Sequence, residues 1–359
     1  MKILYVITQL GVGGAESVLV SMANTMIGLG HDVEVVSLLN INKQNFDEKV
    51  TVHLLDLRHN PVSSLIQFRS ILSKFQPDVV HSHCLHANIV TRLVRVIYPM
   101  KRLVTTAHNT YEGQGLIMSI FKYTNFLSNK ITNVSTDAVQ AFENNKYVKP
   151  SQMNVMFNII DIHKFEYSSD IRDEYRNIFG VHEDDLVVIA VGSMKDSKDY
   201  PNLLKAIQLL TEDELKKIKV FIVGDGLLMA ETQHLATTLN IESYISFLGI
   251  RNDVNSLLNM ADIFVLSSKH EGLPTVLVEA AMAKNVIVST NCGGVNDILP
   301  NFDNVVNIQD ATALAQKLSE VMRLSKEEHL QQSEATYSYV KERLDPQKIA
   351  KEWLEIYQA

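Results

Sequence analysis

The chain has 359 residues, a mass of 40.4 kDa and a formal charge of −8, enough for two domains at about 150 residues each. Hydrophobic residues make up 46%, with only 15 Gly and 8 Pro, which excludes a collagen-like or disordered chain. Two cysteines, Cys84 and Cys292, exclude a disulfide scaffold, and the negative balance argues against a general nucleic-acid binder.

Lys2–Thr8 reads as a buried strand, too short to span a membrane and without a signal-peptide cleavage pattern. No stretch of eighteen apolar residues occurs, so a cytoplasmic chain is expected. Gly13–Leu29 has helical periodicity. Val33–Leu38, Val50–Leu55, Asp78–His81 and Leu103–Ala107 read as further strands with helical stretches between them. The pattern restarts with Leu186–Gly192, Val220–Gly224, Tyr244–Leu248, Ile263–Leu266 and Val286–Ser289. Each half is therefore expected to be a doubly wound α/β domain whose parallel sheet is covered on both faces. Polar residues at Asn158–Glu166 mark the seam. The expected division is 1–165, 166–340 and a C-terminal segment, 341–359, that returns to the first domain. Glu328–Gln358 is amphipathic and helical, with a break at Pro346.

Charge is uneven. Residues 1–165 carry 15 Lys and Arg against 11 Asp and Glu, whereas the remainder carries 18 against 30. Arg92, Arg95, Lys101 and Arg102 read first as a solvated helix face, and second as a patch for anionic lipid or an anionic acceptor. Gly115–Leu127 is apolar on more than one face. Core packing is the default reading, and an interfacial or lipid-binding surface is the alternative.

Open parallel sheets bind ligands beyond the carboxyl ends of their strands, so chemistry is expected in the loops that follow them. Gly11-Val12-Gly13-Gly14-Ala15-Glu16 follows the first strand and opens a helix, where glycines let backbone N–H groups approach a phosphate. It lacks the third Gly and the later acid of a dinucleotide fingerprint. His81, His83 and His86 with Cys84 do not have zinc spacing, and no second cluster follows. His108 follows the fifth strand. Glu271 and Glu279 stand eight positions apart in His270-Glu271-Gly272-Leu273-Pro274-Thr275-Val276-Leu277-Val278-Glu279. Pro274 suits a helix start, and the N–H groups of Thr275 and Val276 are candidates for an anion. The two carboxylates can accept hydrogen bonds from different diols of one elongated ligand.

This segment resembles the Glu, seven residues, Glu motif of family 4 retaining glycosyltransferases with the GT-B fold. Gly13–Glu16, Val191–Leu204, Val223-Gly224-Asp225-Gly226, Phe247-Leu248-Gly249 and Asn291-Cys292-Gly293-Gly294 match other family motifs in order, most densely over 186–300. The resemblance implies two facing Rossmann-like domains with a cleft. The first would bind the acceptor, and the second a nucleotide sugar, by family habit a UDP-sugar. Glu271 would then contact the donor sugar, with Gly272 and Leu273 adding backbone contacts. Glu279 would take the ribose, and Lys198 the diphosphate with the N–H groups near Gly13, Gly14, Thr275 and Val276. Ile250 and Arg251 would lie near the base, and His108 near the sugar. Glu271, His108 and Lys198 are thus the catalytic candidates, and Glu16 and Tyr111 the acceptor-side candidates. Ser193 stands where the family has Arg; Lys195 is a candidate to compensate. No metal or other cofactor is implied. The implied acceptor is a glycan or lipid-linked hydroxyl in surface polysaccharide synthesis, with peripheral contact to an anionic membrane and no nucleic-acid partner. Oligomeric state is not legible. A non-catalytic sugar-nucleotide-binding partner, a GT-B epimerase and a pyridoxal-dependent phosphorylase are the alternatives.

Overall fold

The computed structural model describes every residue except Val12, Gln114 and Phe302. Val12, inside the glycine-rich loop, thus lies outside the described residues. The chain divides into two compact units, Met1–Ile160 with Leu344–Ala359, and Asp161–Arg343.

In the first unit, short Val- and Ile-rich runs form strands because a parallel sheet buries both of their faces. Its elements are β1 (Lys2–Ile7), α1 (Gly14–Gly28), β2 (Asp32–Ser37), β3 (Thr51–Leu54), α2 (Pro61–Phe75) and β4 (Val79–His83). Next come α3 (Leu85–Ile97), β5 (Leu103–Ala107), α4 (Leu116–Thr124), β6 (Lys130–Asn133), α5 (Thr136–Asn144) and β7 (Met153–Val155). The strand order is β3-β2-β1-β4-β5-β6-β7, all parallel. The chain runs one way from β1 to β3 and the other way from β3 to β7. Right-handed crossovers therefore put α1 on one face and α2 to α5 on the other. β6 and β7 carry no apolar run in sequence; they form by extending the ladder from β5.

The second unit contains α6 (Ser169–Ile178), β8 (Leu186–Val191), α7 (Tyr200–Gln208), α8 (Glu212–Leu215), β9 (Ile218–Val223), α9 (Met229–Thr238) and β10 (Ile245–Gly249). There follow α10 (Val254–Met260), β11 (Ile263–Leu266), α11 (Thr275–Met282), β12 (Val286–Thr290), β13 (Val305–Val306), α12 (Ala311–Met322) and α13 (Lys326–Arg343). The order is β10-β9-β8-β11-β12-β13, again parallel. The turn Ile162–Phe165 packs on α11, with Ile162 and Phe165 buried, so the seam falls ahead of it.

The last helix, α14 (Pro346–Gln358), belongs to the first unit and packs on α1. The Trp353 indole N–H donates to the Phe157 carbonyl at 3.0 Å, and the Tyr357 hydroxyl meets His81 Nδ1 at 2.7 Å and the Tyr5 hydroxyl at 3.3 Å.

One expectation fails here. Arg92 is fully buried, not part of a solvated face. Its guanidinium lies 4.4 Å from the Phe121 ring and donates to Ser128 Oγ, Thr105 Oγ1 and the Phe121 carbonyl. Burial pulls its pKa down to about 9. Helical spacing alone placed it outside; the covering by α4 puts it inside.

Glycines let the loops at the carboxyl edge of the second unit close backbone to backbone. Gly224 has φ +133, and a Cβ there would overlap the Gly192 carbonyl oxygen. Gly226 approaches the Met194 carbonyl, and Gly294, at φ +68, approaches that of Gly272, in the same way. Gly28, by contrast, faces open space. Gly224→Ala is expected to destabilise by about 2–4 kcal/mol, from strain plus overlap. Gly28→Ala should be neutral or mildly stabilising. Urea midpoints of the two variants check this.

Candidate functional site

In the second unit the strand order reverses between β8 and β11, which opens a crevice at their carboxyl ends. The loops leaving these strands are stitched together. The Ser267 hydroxyl donates to the Lys198 carbonyl at 2.9 Å, and the Lys269 N–H to the Ser197 carbonyl at 2.8 Å. Lys198 ends the short turn Asp196–Lys198, which Asp199 closes at φ +46. Lys198 Nζ then donates to Glu271 Oε1 at 2.6 Å, and both side chains are only 14% exposed. Ser268 Oγ donates to the same oxygen at 2.7 Å, and the Glu271 N–H to the Cys292 carbonyl at 2.8 Å. A Cβ on Gly192 would stand 3.1 Å from Lys198 Cε, so that glycine leaves room for the lysine stem.

Gly272 and Leu273 are buried beyond Glu271. Thr275 opens α11 behind Pro274, and no side chain caps the helix. The N–H groups at this end are therefore not spent on a side-chain cap, and such groups suit an anion. Glu279 lies one turn further along. Burial pushes its pKa up to about 7, against the pull of Lys164 and Lys198. No hydrogen bond reaches its carboxylate among the described residues.

Other expected positions are less gathered. Ser193 and Lys195 are exposed after β8. Ile250 is exposed, and Arg251 is engaged by Asp253 at 2.8 and 2.6 Å. Both follow the edge strand β10, two strands from β8, or roughly 10 Å along the sheet. The Lys198–Glu271 pair is local to β8 and β11.

In the first unit the reversal falls between β1 and β4. Gly13 caps α1 in extended conformation, and a Cβ there would overlap the Glu16 carboxylate, which folds back over it. Gly14 is exposed. Cys84, after β4, is held at φ +73, a strained turn for a non-glycine residue. His83 Nδ1 and His108 Nε2 are 2.9 Å apart. Burial lowers the His108 pKa to about 4 and that of His83 well below its ordinary value, so both rings are neutral at pH 7. The His108 backbone N–H donates to Glu112 Oε1 at 2.6 Å, and burial pushes the Glu112 pKa up to about 7. Tyr111 is half exposed beside them. Among the described residues no group of three or more His, Cys, Asp or Glu could hold a metal.

Sequence reasoning missed Glu112, the pairing of His83 with His108, and Lys164. Glu112 is a lone acid in a polar loop, and its sequence gives no signal. A His at the end of β4 and another at the end of the adjacent β5 is a pattern from which the pairing was legible.

A family model described as Glycosyltransferase Family 4 matches residues 12–164, and one described as Glycosyl transferases group 1 matches residues 171–339. The chain belongs to glycosyltransferase family 4. It is 27% identical, over 72% of its length and 70% of the relative's, to the Escherichia coli UDP-Gal:alpha-D-GlcNAc-diphosphoundecaprenol alpha-1,3-galactosyltransferase. It is 22% identical, over 96% of its length and 94% of the relative's, to the Bacillus anthracis N-acetyl-alpha-D-glucosaminyl L-malate synthase. Among solved structures, Anabaena HepE in complex with UDP-glucose superposes with a TM-score of 0.84 at 18% identity, covering 100% of this chain and 99% of that one. The fold is therefore that of GT-B glycosyltransferases.

In this transferase, a carboxyl group whose folded pKa is raised contributes stability below its unfolded pKa and loses it as pH rises. For Glu279 the loss runs between about pH 4.5 and pH 7. Glu279→Gln is therefore expected to raise the melting temperature by a few degrees at pH 8 and to leave it unchanged at pH 4.5. Thermal denaturation at the two pH values checks this.

Proposed function

We propose that this glycosyltransferase moves a hexosyl or N-acetylhexosaminyl group from a UDP-sugar to a hydroxyl of a glycan or lipid-linked acceptor, with retention of anomeric configuration. The observation that carries the reading is the buried Lys198–Glu271 pair at the strand reversal of the second unit, with the uncapped start of α11 beside it. A cation and free N–H groups suit a diphosphate; buried carboxylates suit sugar hydroxyls. UDP is favoured by likeness: HepE was solved with UDP-glucose, and the Escherichia coli relative is named for UDP-Gal.

In the free protein, Glu271 occupies the lysine as an anion would. On donor binding Lys198 turns its charge to the diphosphate, and Glu271 is released to accept from the sugar hydroxyls. Glu279 accepts from the ribose. Its high pKa falls as the site fills with hydrogen-bond donors. The bond between the anomeric carbon and the phosphate oxygen breaks, and the electron pair leaves with the nucleoside diphosphate. The acceptor oxygen bonds to the same face of the sugar, and its proton passes to the departing phosphate oxygen. Lys198 stabilises the charge that gathers there, a role commonly worth about 3 kcal/mol of barrier. Ser193 withholds a second cation; Lys164, which already bears electrostatically on Glu279, supplies part of it. The first unit serves the acceptor side through Glu16 and Tyr111, with neutral His108 as a hydrogen-bonding group for the sugar.

Lys198→Ala is expected to lower kcat for transfer about a hundredfold or more. Glu271→Gln keeps the shape and the fold and should also transfer poorly. Initial rates with a panel of UDP-sugars, together with donor hydrolysis in the absence of acceptor, check this. Near-normal transfer by Glu271→Gln removes Glu271 from the site. Neither transfer nor hydrolysis by the wild type with any donor supports instead a non-catalytic sugar-nucleotide-binding partner, the reading that exposed Ser193 favours.

A further inference from the structure

We infer that His83 is a positioning residue: it fixes His108 as the tautomer with its proton on Nδ1, so that His108 donates a hydrogen bond to an oxygen of the bound sugar. The inference rests on the reading of His108 as a hydrogen-bonding group for the sugar, and it names the direction of that bond.

His83 is the last residue of β4, and His108 is the first after β5, the strand beside it. His83 Nδ1 and His108 Nε2 are 2.9 Å apart. Both rings are neutral, so each carries one N–H and accepts at its other nitrogen. Only two arrangements make the bond. Either His83 donates from Nδ1, or His108 donates from Nε2.

The far nitrogen of His83 decides between them. His83 is fully buried, and its Nε2 has no hydrogen-bond partner among the described residues. Were His108 the donor, His83 would accept at Nδ1 and carry its proton on Nε2, as a buried N–H with no acceptor. Orphaned buried N–H groups are rare, and under-satisfied acceptors less so. His83 therefore donates from Nδ1, His108 accepts at Nε2, and the His108 proton sits on Nδ1. That nitrogen makes no hydrogen bond to a described residue, which leaves its N–H for a ligand. In this tautomer His108 takes no proton from the acceptor hydroxyl, in keeping with a proton that passes to the departing phosphate oxygen.

The pair is held in place. The His83 ring lies 4.0 Å from that of His81 and 5.8 Å from that of Tyr5. His81 is itself engaged at both nitrogens, by the Tyr357 hydroxyl at 2.7 Å and Thr106 Oγ1 at 2.6 Å, and its ring lies 4.7 Å from Trp353. The C-terminal helix α14 thus braces His81, and His81 braces His83. His108 is also held through its backbone N–H, which donates to Glu112 Oε1 at 2.6 Å. A neutral histidine in water favours the proton on Nε2, so the Nδ1–H form is one that the surroundings have to hold.

The test begins with long-range proton–nitrogen correlation spectra of the full chain, isotopically labelled at the histidine nitrogens, at pH 7 and without nucleotide. His108→Ala identifies the signals of that ring. His108 should show a protonated Nδ1 and a bare Nε2, and in folded His83→Leu its proton should move to Nε2. A protonated Nε2 on His108 in the wild type, or an unchanged tautomer in His83→Leu, overturns the inference. Initial rates then separate positioning from packing. His83→Leu should lower kcat for transfer about tenfold. His83→Asn, whose amide N–H can stand where the Nδ1–H stood, should restore most of the rate. Adding His83→Leu to His108→Ala should cost nothing further, because the two act through one bond. Normal rates in folded His83→Leu, or losses that multiply in the double variant, overturn the inference. Circular dichroism and the melting temperature establish that each variant is folded. A wild type that neither transfers nor hydrolyses a UDP-sugar counts against the proposed function instead; the spectra need no nucleotide and decide the tautomer in either case.

Discussion

A lysine ammonium 2.6 Å from a glutamate carboxylate, both largely withdrawn from water, is the constraint on which the second unit's loops depend. Taking both charges out of water costs several kcal/mol each before their attraction returns it, and an apolar pair of similar volume often serves stability as well or better. The pair is therefore poorly explained by folding alone. Its surroundings are shaped to it: Gly192 makes room for the lysine stem, Ser268 satisfies the shared carboxylate oxygen, and Ser267 fixes the backbone of Lys198. The glycine contacts at 224, 226 and 294 hold the neighbouring loops close enough for this geometry to persist.

The first unit repeats the topology with different chemistry. At its own strand reversal it places neutral imidazoles in place of an ion pair. These groups load the pH dependence of stability in opposite directions. His108, neutral in the fold, makes stability rise with pH between about 4 and 6.5, because the unfolded chain binds the proton there. Glu112 and Glu279 make it fall between about 4.5 and 7, because the folded chain holds the proton there. Groups that work against the fold near neutrality cluster at the two carboxyl edges, which is where binding and catalytic chemistry belong in this architecture.

Much of this was legible in the sequence because strand-end loops carry local signals. Glycine pairs, the Pro274 helix start and the spacing of Glu271 to Glu279 can be read without neighbours. Strands β1, β2, β8, β9, β11 and β12 were equally plain, being short runs rich in Val and Ile. What escaped depends on neighbours. β6 and β7 are polar and short, and exist because β5 offers them a ladder. Arg92 lies inside only because α4 covers it, and Glu112 is set apart only by a half-buried position that pushes its pKa up. Ser193 was readable as a departure from the family, whereas Lys164 acquires its bearing on Glu279 only when the turn Ile162–Phe165 packs on α11.

The account turns on whether Lys198 meets a nucleoside diphosphate. Thermal denaturation of the purified chain with UDP, GDP and ADP tests this most directly. A ligand at about 100 times its dissociation constant adds roughly 2.7 kcal/mol, a shift of several degrees. The account predicts a shift with UDP that is lost in folded Lys198→Ala. A full shift retained in that variant, or no shift with any of the three nucleotides, would contradict it.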